Sequence, residues 1–407
     1  MQDTPKGGRL HIAIFGRRNA GKSSLINALT SQDIAIVSAV PGTTTDPVYK
    51  AMEILPIGPV MIIDTAGIDD VGSLGELRIE RTMQVLNKSD VAVLVVEPEA
   101  GVGDFEQDLL AAIRKRGIPA LGAVNKTDLI ALEPEQLKKW QEELDLALLP
   151  VSAKTGQGIE ELKRLIIKNA PDDWEGPPVI GDLLSPGDTV VMVVPIDLAA
   201  PKGRLILPQV QTIRDVLDHD CGCVVVKERE LKDALANLKH PPKMVVTDSQ
   251  EFMKVGGDTP ADVLLTSFSI LFARNKGDLE TLVQGAKAID KLQPGDKVLI
   301  SEGCTHHRQA DDIGRVKIPR WLRQAVGGEL DFHWVSGGDF PRDLDTYRLV
   351  VHCGACMLNR REMLYRLTVA REAGVPIVNY GLLIAHLHGI LHRALGPFPG
   401  AQMLLEE

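Results

Sequence analysis

The residues with the clearest chemistry stand near the start of the chain. Gly16-Arg17-Arg18-Asn19-Ala20-Gly21-Lys22-Ser23 fits the pattern G-x-x-x-x-G-K-[ST]. Its glycines let backbone N–H groups close around a phosphate. The loop lies between an apolar stretch and a helical one, so a helix N-terminus adds partial positive charge. Lys22 is placed to reach the β- and γ-phosphates and Ser23 to bind Mg²⁺, with Ser24 completing the nucleotide-binding run. This loop alone does not separate ATP from GTP. Asn125-Lys126-Thr127-Asp128 does. A carboxylate at Asp128 accepts both N–H groups of guanine, whereas adenine offers no matching pair, and leaving it unpaired costs about 1–3 kcal/mol. Ser152-Ala153-Lys154 follows the next apolar stretch and supplies a second base-side loop. In Asp64-Thr65-Ala66-Gly67, Asp64 is the expected carboxylate on the Mg²⁺ side, and Gly67 offers its N–H to the γ-phosphate. Together these residues point to GTP binding and hydrolysis.

A second set lies far downstream. Cys304-Thr305-His306 follows one apolar stretch, and His352-Cys353-Gly354-Ala355-Cys356 closes another. C-x-x-C places two thiolates within reach of one metal centre, with Cys304 as a third. A helix start near Asn359 favours thiolate charge. Three cysteines suit a 4Fe-4S cluster with one site filled by a weaker ligand or left exchangeable. Three cysteines and a histidine also suit structural Zn²⁺. A redox pair and plain buried thiols are the remaining readings of the spacing.

The elements that must position these residues alternate. Apolar strand patterns fall at 10–15, 48–54, 60–63, 91–96, 120–124 and 148–151. Helical periodicity fills 23–29, 76–86, 105–115, 134–143 and 159–169. That alternation predicts a doubly wound, mostly parallel sheet over residues 1–170. Proline and glycine at 171–187 read as a linker. Residues 188–266 read as a small α+β module with strands at 189–194, 222–227 and 242–247. Residues 267–407 alternate again and read as a second α/β domain. In a parallel sheet the C-terminal strand ends share one edge, where ligands bind, so both cysteine motifs are expected to meet there. The fold class is therefore α/β, with a nucleotide-binding domain, a small α+β middle domain and a C-terminal α/β domain.

Composition bounds the rest. The chain has 407 residues, too many for one ordinary core. Its formal net charge of -10 argues against a protein built to grip nucleic acid, whose affinity comes from phosphate neutralisation. Residues 375–395 are interrupted by Asn379, His386, His388, His392 and Arg393, too polar a run to span a membrane. The first residues carry no leader-like apolar run, so a cytoplasmic location is expected. There, five cysteines are expected as metal ligands or buried thiols and not as disulfides.

The nucleotide motifs, in this order and at strand ends, resemble the translation-factor-like GTPases, within them the tRNA-modification and ribosome-assembly subgroup. Pro41-Gly42-Thr43-Thr44-Thr45-Asp46 resembles that subgroup's first switch, which implies Mg²⁺ binding by Thr44. Thr45 replaces the usual arginine. Ile68 stands where other GTPases place a water-orienting glutamine, so turnover is expected to be slow, and the switch segments that order around the γ-phosphate are expected at 38–46 and 68–80. Asn19 stands at the position that binds K⁺ in the tRNA-modification subgroup. Cys-x-His, a long gap and His-Cys-x-x-Cys behind such a domain is similar to the FeFe-hydrogenase maturation GTPases. The middle stretch Val194-Pro195-Ile196-Asp197 through Arg204 resembles them too. The resemblance implies a 4Fe-4S cluster on Cys304, Cys353 and Cys356, and a homodimer formed by the middle domain. It also implies a transient di-iron cargo received from radical-SAM maturases and delivered to the apo-hydrogenase. The fourth ligand stays open among His352, His306 and Asp197. His352 adjoins Cys353, and strand neighbours face opposite sides unless the backbone turns.

Overall fold

A computed structural model describes residues 4–30, 47–65, 81–196, 205–303, 311–341 and 343–406. Thr44, Gly67, Asp197, Cys304 and His306 lie outside them, as do the switch segments expected at 38–46 and 68–80. The chain divides into two compact units, Met1–Glu175 and Gly176–Glu407.

In the first unit the strands are β1 (Leu10–Gly16), β2 (Val48–Ile54), β3 (Gly58–Asp64), β4 (Val91–Val96), β5 (Ala120–Val124) and β6 (Leu148–Pro150). They form one sheet in the order β2-β3-β1-β4-β5-β6, with β2 antiparallel to β3 and the remaining pairs parallel. β1 is central and buried along its whole length, which is why its sequence is almost continuously apolar. Leu10, Ile12 and Ile14 enter a core with Leu25 and Ile166. Ala13 and Phe15 enter a second core, with Leu110 and Trp140, on the opposite face. β1 ends at Gly16, where a side-chain Cβ would come 2.4 Å from the carbonyl oxygen of Val95. Only glycine lets the chain turn there, at φ 150°.

The second unit holds two parallel sheets. β7 (Thr189–Val193), β8 (Gly222–Val226), β9 (Met244–Thr247) and β10 (Leu264–Ser267) lie in the order β10-β9-β7-β8. β11 (Lys297–Glu302), β12 (Asp331–Ser336), β13 (Leu349–His352) and β14 (Ile377–Asn379) lie in the order β12-β11-β13-β14. The middle segment is therefore α/β, which corrects the α+β expectation. Its four strands are all parallel, and crossover helices such as Leu207–Asp218 connect them. Val190, Met192 and Val246 of one sheet share a single core with Val298, Ile300 and Val351 of the other. Among the described residues, no helix is long and apolar enough to cross a membrane.

Candidate functional site

The strand ends of the first unit bring the nucleotide motifs together. Asn19 and Gly21 take left-handed backbone angles of φ 62° and 83°, curling the loop after β1. The Lys22 ammonium folds back over it, donating to the carbonyls of Gly16 at 2.9 Å and Arg17 at 2.7 Å. The Ser23 hydroxyl donates to Asp64 at 2.6 Å, so two of the expected Mg²⁺-side oxygens stand together. Burial pushes the Asp64 carboxyl above its ordinary range, opposed by the Ser23 hydroxyl and by Lys22 and Lys50. A bound cation would favour the ionised form instead.

The base side is equally organised. The Asn125 amide donates to the Ala20 carbonyl at 3.0 Å, and its oxygen accepts the Ala153 N–H at 3.1 Å. One side chain thus ties the phosphate loop to the loop that begins at Ser152. Ser152 donates to the Asp128 carboxylate at 2.7 Å, orienting it. Lys154 and Ser24 are exposed at the rim. Asp128→Asn replaces an acceptor by a donor against one guanine N–H. GTP affinity is expected to fall by about 100-fold, with xanthine nucleotide gaining relative to guanine. Calorimetric titration with both nucleotides checks this, and an unchanged preference would show that Asp128 does not read the base.

Two supporting carboxylates escaped sequence reasoning. Glu106, 1% exposed, grips the Arg17 guanidinium through two contacts of 2.7 and 2.8 Å and accepts the Gly103 N–H at 3.0 Å. Glu97 pairs with Lys126 at 2.9 Å. The two sit at either end of residues 97–106 and anchor the phosphate loop and the base loop to one segment. The spacing of Gly103 and Glu106 at the start of helix Asp104–Lys115 is a capping pattern and was the available signal.

The second unit places Cys353 just past β13. β11 and β13 are adjacent and parallel, with Ser301 paired to His352. The Gly303 N–H accordingly donates to the Cys353 sulfur at 3.0 Å, and the Ala355 N–H does so at 3.4 Å. Amide donors to sulfur favour a thiolate and suit a thiolate-bound metal centre. Cys304 follows Gly303 in the chain. Ala355 holds φ at 54°, uncommon for a residue with a Cβ. Burial raises the Cys356 thiol, opposed by Lys276 and by the backbone amides of Cys356 and Met357. Lys276 is itself buried, which lowers its ammonium to about 8 against the pull of Cys356 and Cys353.

His352 is fully buried. Burial first, and then the Arg366 guanidinium, lower its pKa to about 3. The neutral ring donates from Nδ1 to the Cys353 carbonyl at 2.8 Å and accepts at Nε2 from Arg366 at 3.1 Å. Both nitrogens are thus engaged, and this arrangement leaves no lone pair for a metal. Among the described residues, no group of three or more His, Cys, Asp or Glu side chains is placed to hold a metal ion.

Three family models match in succession. The 50S ribosome-binding GTPase model matches residues 11–126, the hydrogen maturase F dimerization domain residues 179–277, and the hydrogen maturase F tetramerization domain residues 280–397. Among curated proteins, the tRNA modification GTPase MnmE of Synechococcus sp. (strain JA-3-3Ab) is 40% identical over 164 residues, 38% of this chain and 32% of that protein. MnmE of Dechloromonas aromatica (strain RCB) is 36% identical over 165 residues, 40% of this chain and 35% of that protein. The chain spans about a third of the length of these relatives. Among solved structures, a variant of Aquifex aeolicus Era bound to GDP.AlF4- matches with a TM-score of 0.37 and 20% identity, over 53% of this chain and 93% of that one. A GTPase domain followed by both domains specific to hydrogen maturase F places the chain in the hydrogen maturase F family.

Proposed function

We propose that this GTPase is a slow, K⁺-assisted switch that holds a 4Fe-4S cluster through Cys304, Cys353 and Cys356. On it the protein assembles the di-iron precursor of the FeFe-hydrogenase active site and delivers that cargo to the apo-enzyme. Its partners are then the radical-SAM maturases, the apo-hydrogenase and further copies of itself, in the cytoplasm. The observation that carries the reading is the pair of amides converging on the Cys353 sulfur where β11 and β13 end side by side. A bound cluster supplies an iron site open to exchange. The chain's own residues hold thiolate charge with N–H donors and the Lys276 cation. With His352 engaged by Arg366, the fourth ligand falls to His306, Asp197 or an exchangeable group.

In the nucleotide site, Lys22 and the loop amides neutralise phosphate charge while Ser23, Asp64 and Thr44 hold Mg²⁺. Asn19 stands at the left-handed bend of the loop, and its side-chain amide oxygen would be the ligand for K⁺. A monovalent cation there does the work that an arginine does elsewhere. Hydrolysis then relaxes the switch segments, and GTP acts as a conformational signal and not as a source of covalent chemistry on the cluster.

Anaerobic purification followed by iron, sulfide and zinc analysis tests the cluster. About four irons per chain are expected on the 4Fe-4S reading, and a colourless protein with stoichiometric zinc overturns it. Turnover in KCl is expected to exceed that in NaCl by on the order of tenfold. Equal rates would remove K⁺ from the mechanism.

A further inference from the structure

Helix Phe268–Lys276 starts at the end of β10, capped by the Ser267 hydroxyl, and ends in Arg274-Asn275-Lys276. Lys276 is 4% exposed, and its ammonium donates to the carbonyls of Ala355 at 3.3 Å, Cys356 at 3.1 Å and Leu358 at 2.6 Å. Three carbonyls of one short loop thus converge on a single buried cation. The loop includes the left-handed Ala355, a conformation that persists only where its surroundings hold it. A second tie runs the other way. Arg360, just past the loop, donates to the carbonyls of Asn275 at 2.8 Å and Gly277 at 3.2 Å.

The same helix end also grips the first residues of the second unit. Asn275 donates to the Pro177 carbonyl at 2.7 Å. Arg274 donates to the Pro178 carbonyl at 2.7 Å and pairs with Asp182 through contacts of 2.6 and 2.7 Å. Gly176 packs so closely that a Cβ there would lie 2.5 Å from the Asn275 carbonyl oxygen. Residues 176–182 are the stretch by which the chain arrives from the nucleotide-binding unit.

We propose that Lys276 is the positioning residue of the cysteine loop, and that Arg274 and Asn275 make the loop's placement depend on how residues 176–182 are attached. The helix end is a shared anchor: one face holds the arriving chain, and the other holds the backbone that aims Cys353 and Cys356. Its purpose rests on the cluster reading above; its geometry does not. Pulling on residues 176–182 is thereby felt at the cysteines through the helix end, and also through Arg360, whose Cδ lies 2.8 Å from where a Cβ at Gly176 would stand.

Hydrogen exchange on the full-length apo-protein tests this. Lys276→Met is expected to speed exchange of the amides in 353–359 by roughly tenfold, with β13 itself unchanged. Lys276→Gln keeps an uncharged NH2 donor group and should restore part of that protection relative to Lys276→Met. Asn275→Ala and Arg274→Ala, neither of which removes a side chain that touches the loop, should each speed exchange at 176–182 and also, by about threefold, at 353–359. A folded Lys276→Met protein with unchanged loop exchange overturns the positioning role. Release of 176–182 with an undisturbed loop overturns the dependence, and Asn275→Ala and Arg274→Ala decide that point even if Lys276→Met does not fold. Iron content after anaerobic reconstitution should fall below half the wild-type value in Lys276→Met. Wild-type protein that takes up no iron would sink the cluster reading and leave the exchange result standing.

Discussion

GTP hydrolysis falls by about a thousandfold when Lys22 becomes alanine. The expectation rests on position as well as charge. In the structure the ammonium already lies over the phosphate loop, held by the Gly16 and Arg17 carbonyls. It is therefore preorganised for charge that grows on the phosphates in the transition state, where fixed donors in a water-poor site contribute most. Removing it also takes a donor from the Gly16 carbonyl and leaves the Arg17 carbonyl only the Ala20 N–H at 3.4 Å. Phosphate release measured at saturating GTP reads the effect, and a melting curve shows that the fold is intact. A residual rate within tenfold of wild type would mean that another group carries the phosphate charge.

Arg366→Met should destabilise the second unit by roughly 3–5 kcal/mol, about 10 °C in melting temperature. Arg366 is 1% exposed and joins the ends of three strands. It donates to Ser301 at the end of β11, to the Gly337 carbonyl just past β12 and to His352 at the end of β13, and it pairs with Glu362 at 2.8 Å. Methionine fills much of the volume but leaves a carboxylate, an imidazole, a hydroxyl and a carbonyl short of donors. Arg366→Lys should recover less than half of the loss, because one ammonium cannot reproduce a planar fork reaching four acceptors. Calorimetry of the apo-protein checks both. A shift of under 3 °C for methionine would mean that water takes over these bonds.

Much of this arrangement was readable in the residues. The patterns at 48–54, 91–96 and 120–124 coincide with β2, β4 and β5. For β4 and β5 the reason is burial, because strands covered on both faces must be apolar throughout. The motifs then fall at strand ends, where parallel sheets bind ligands. Other elements were hidden for physical reasons. Helix Leu207–Asp218 buries Gln209, Thr212 and Val216 and exposes Val210 and Leu217, so its amphipathic signal is inverted. Helix Phe268–Lys276 buries residues on nearly every side and shows no clear stripe. It carries Lys276, which is why the strongest hold on the cysteine loop was invisible in the sequence. The engagement of His352 was equally hidden, since Arg366 lies on a helix that begins beyond the motif.

The core that β7–β10 share with β11–β14 bears on where the chain can be divided. A cut between residues 277 and 280, where one matched domain ends and the next begins, would pass through a continuous apolar interior. Each severed piece would lose the packing of helix Phe268–Lys276 against helices Arg360–Glu372 and Tyr380–Leu387. Residues 176–407 are therefore expected to melt in one cooperative step, which calorimetry reads. A truncation near residue 175, between the two compact units, is accordingly expected to leave each piece folded, and one at 277–280 is not.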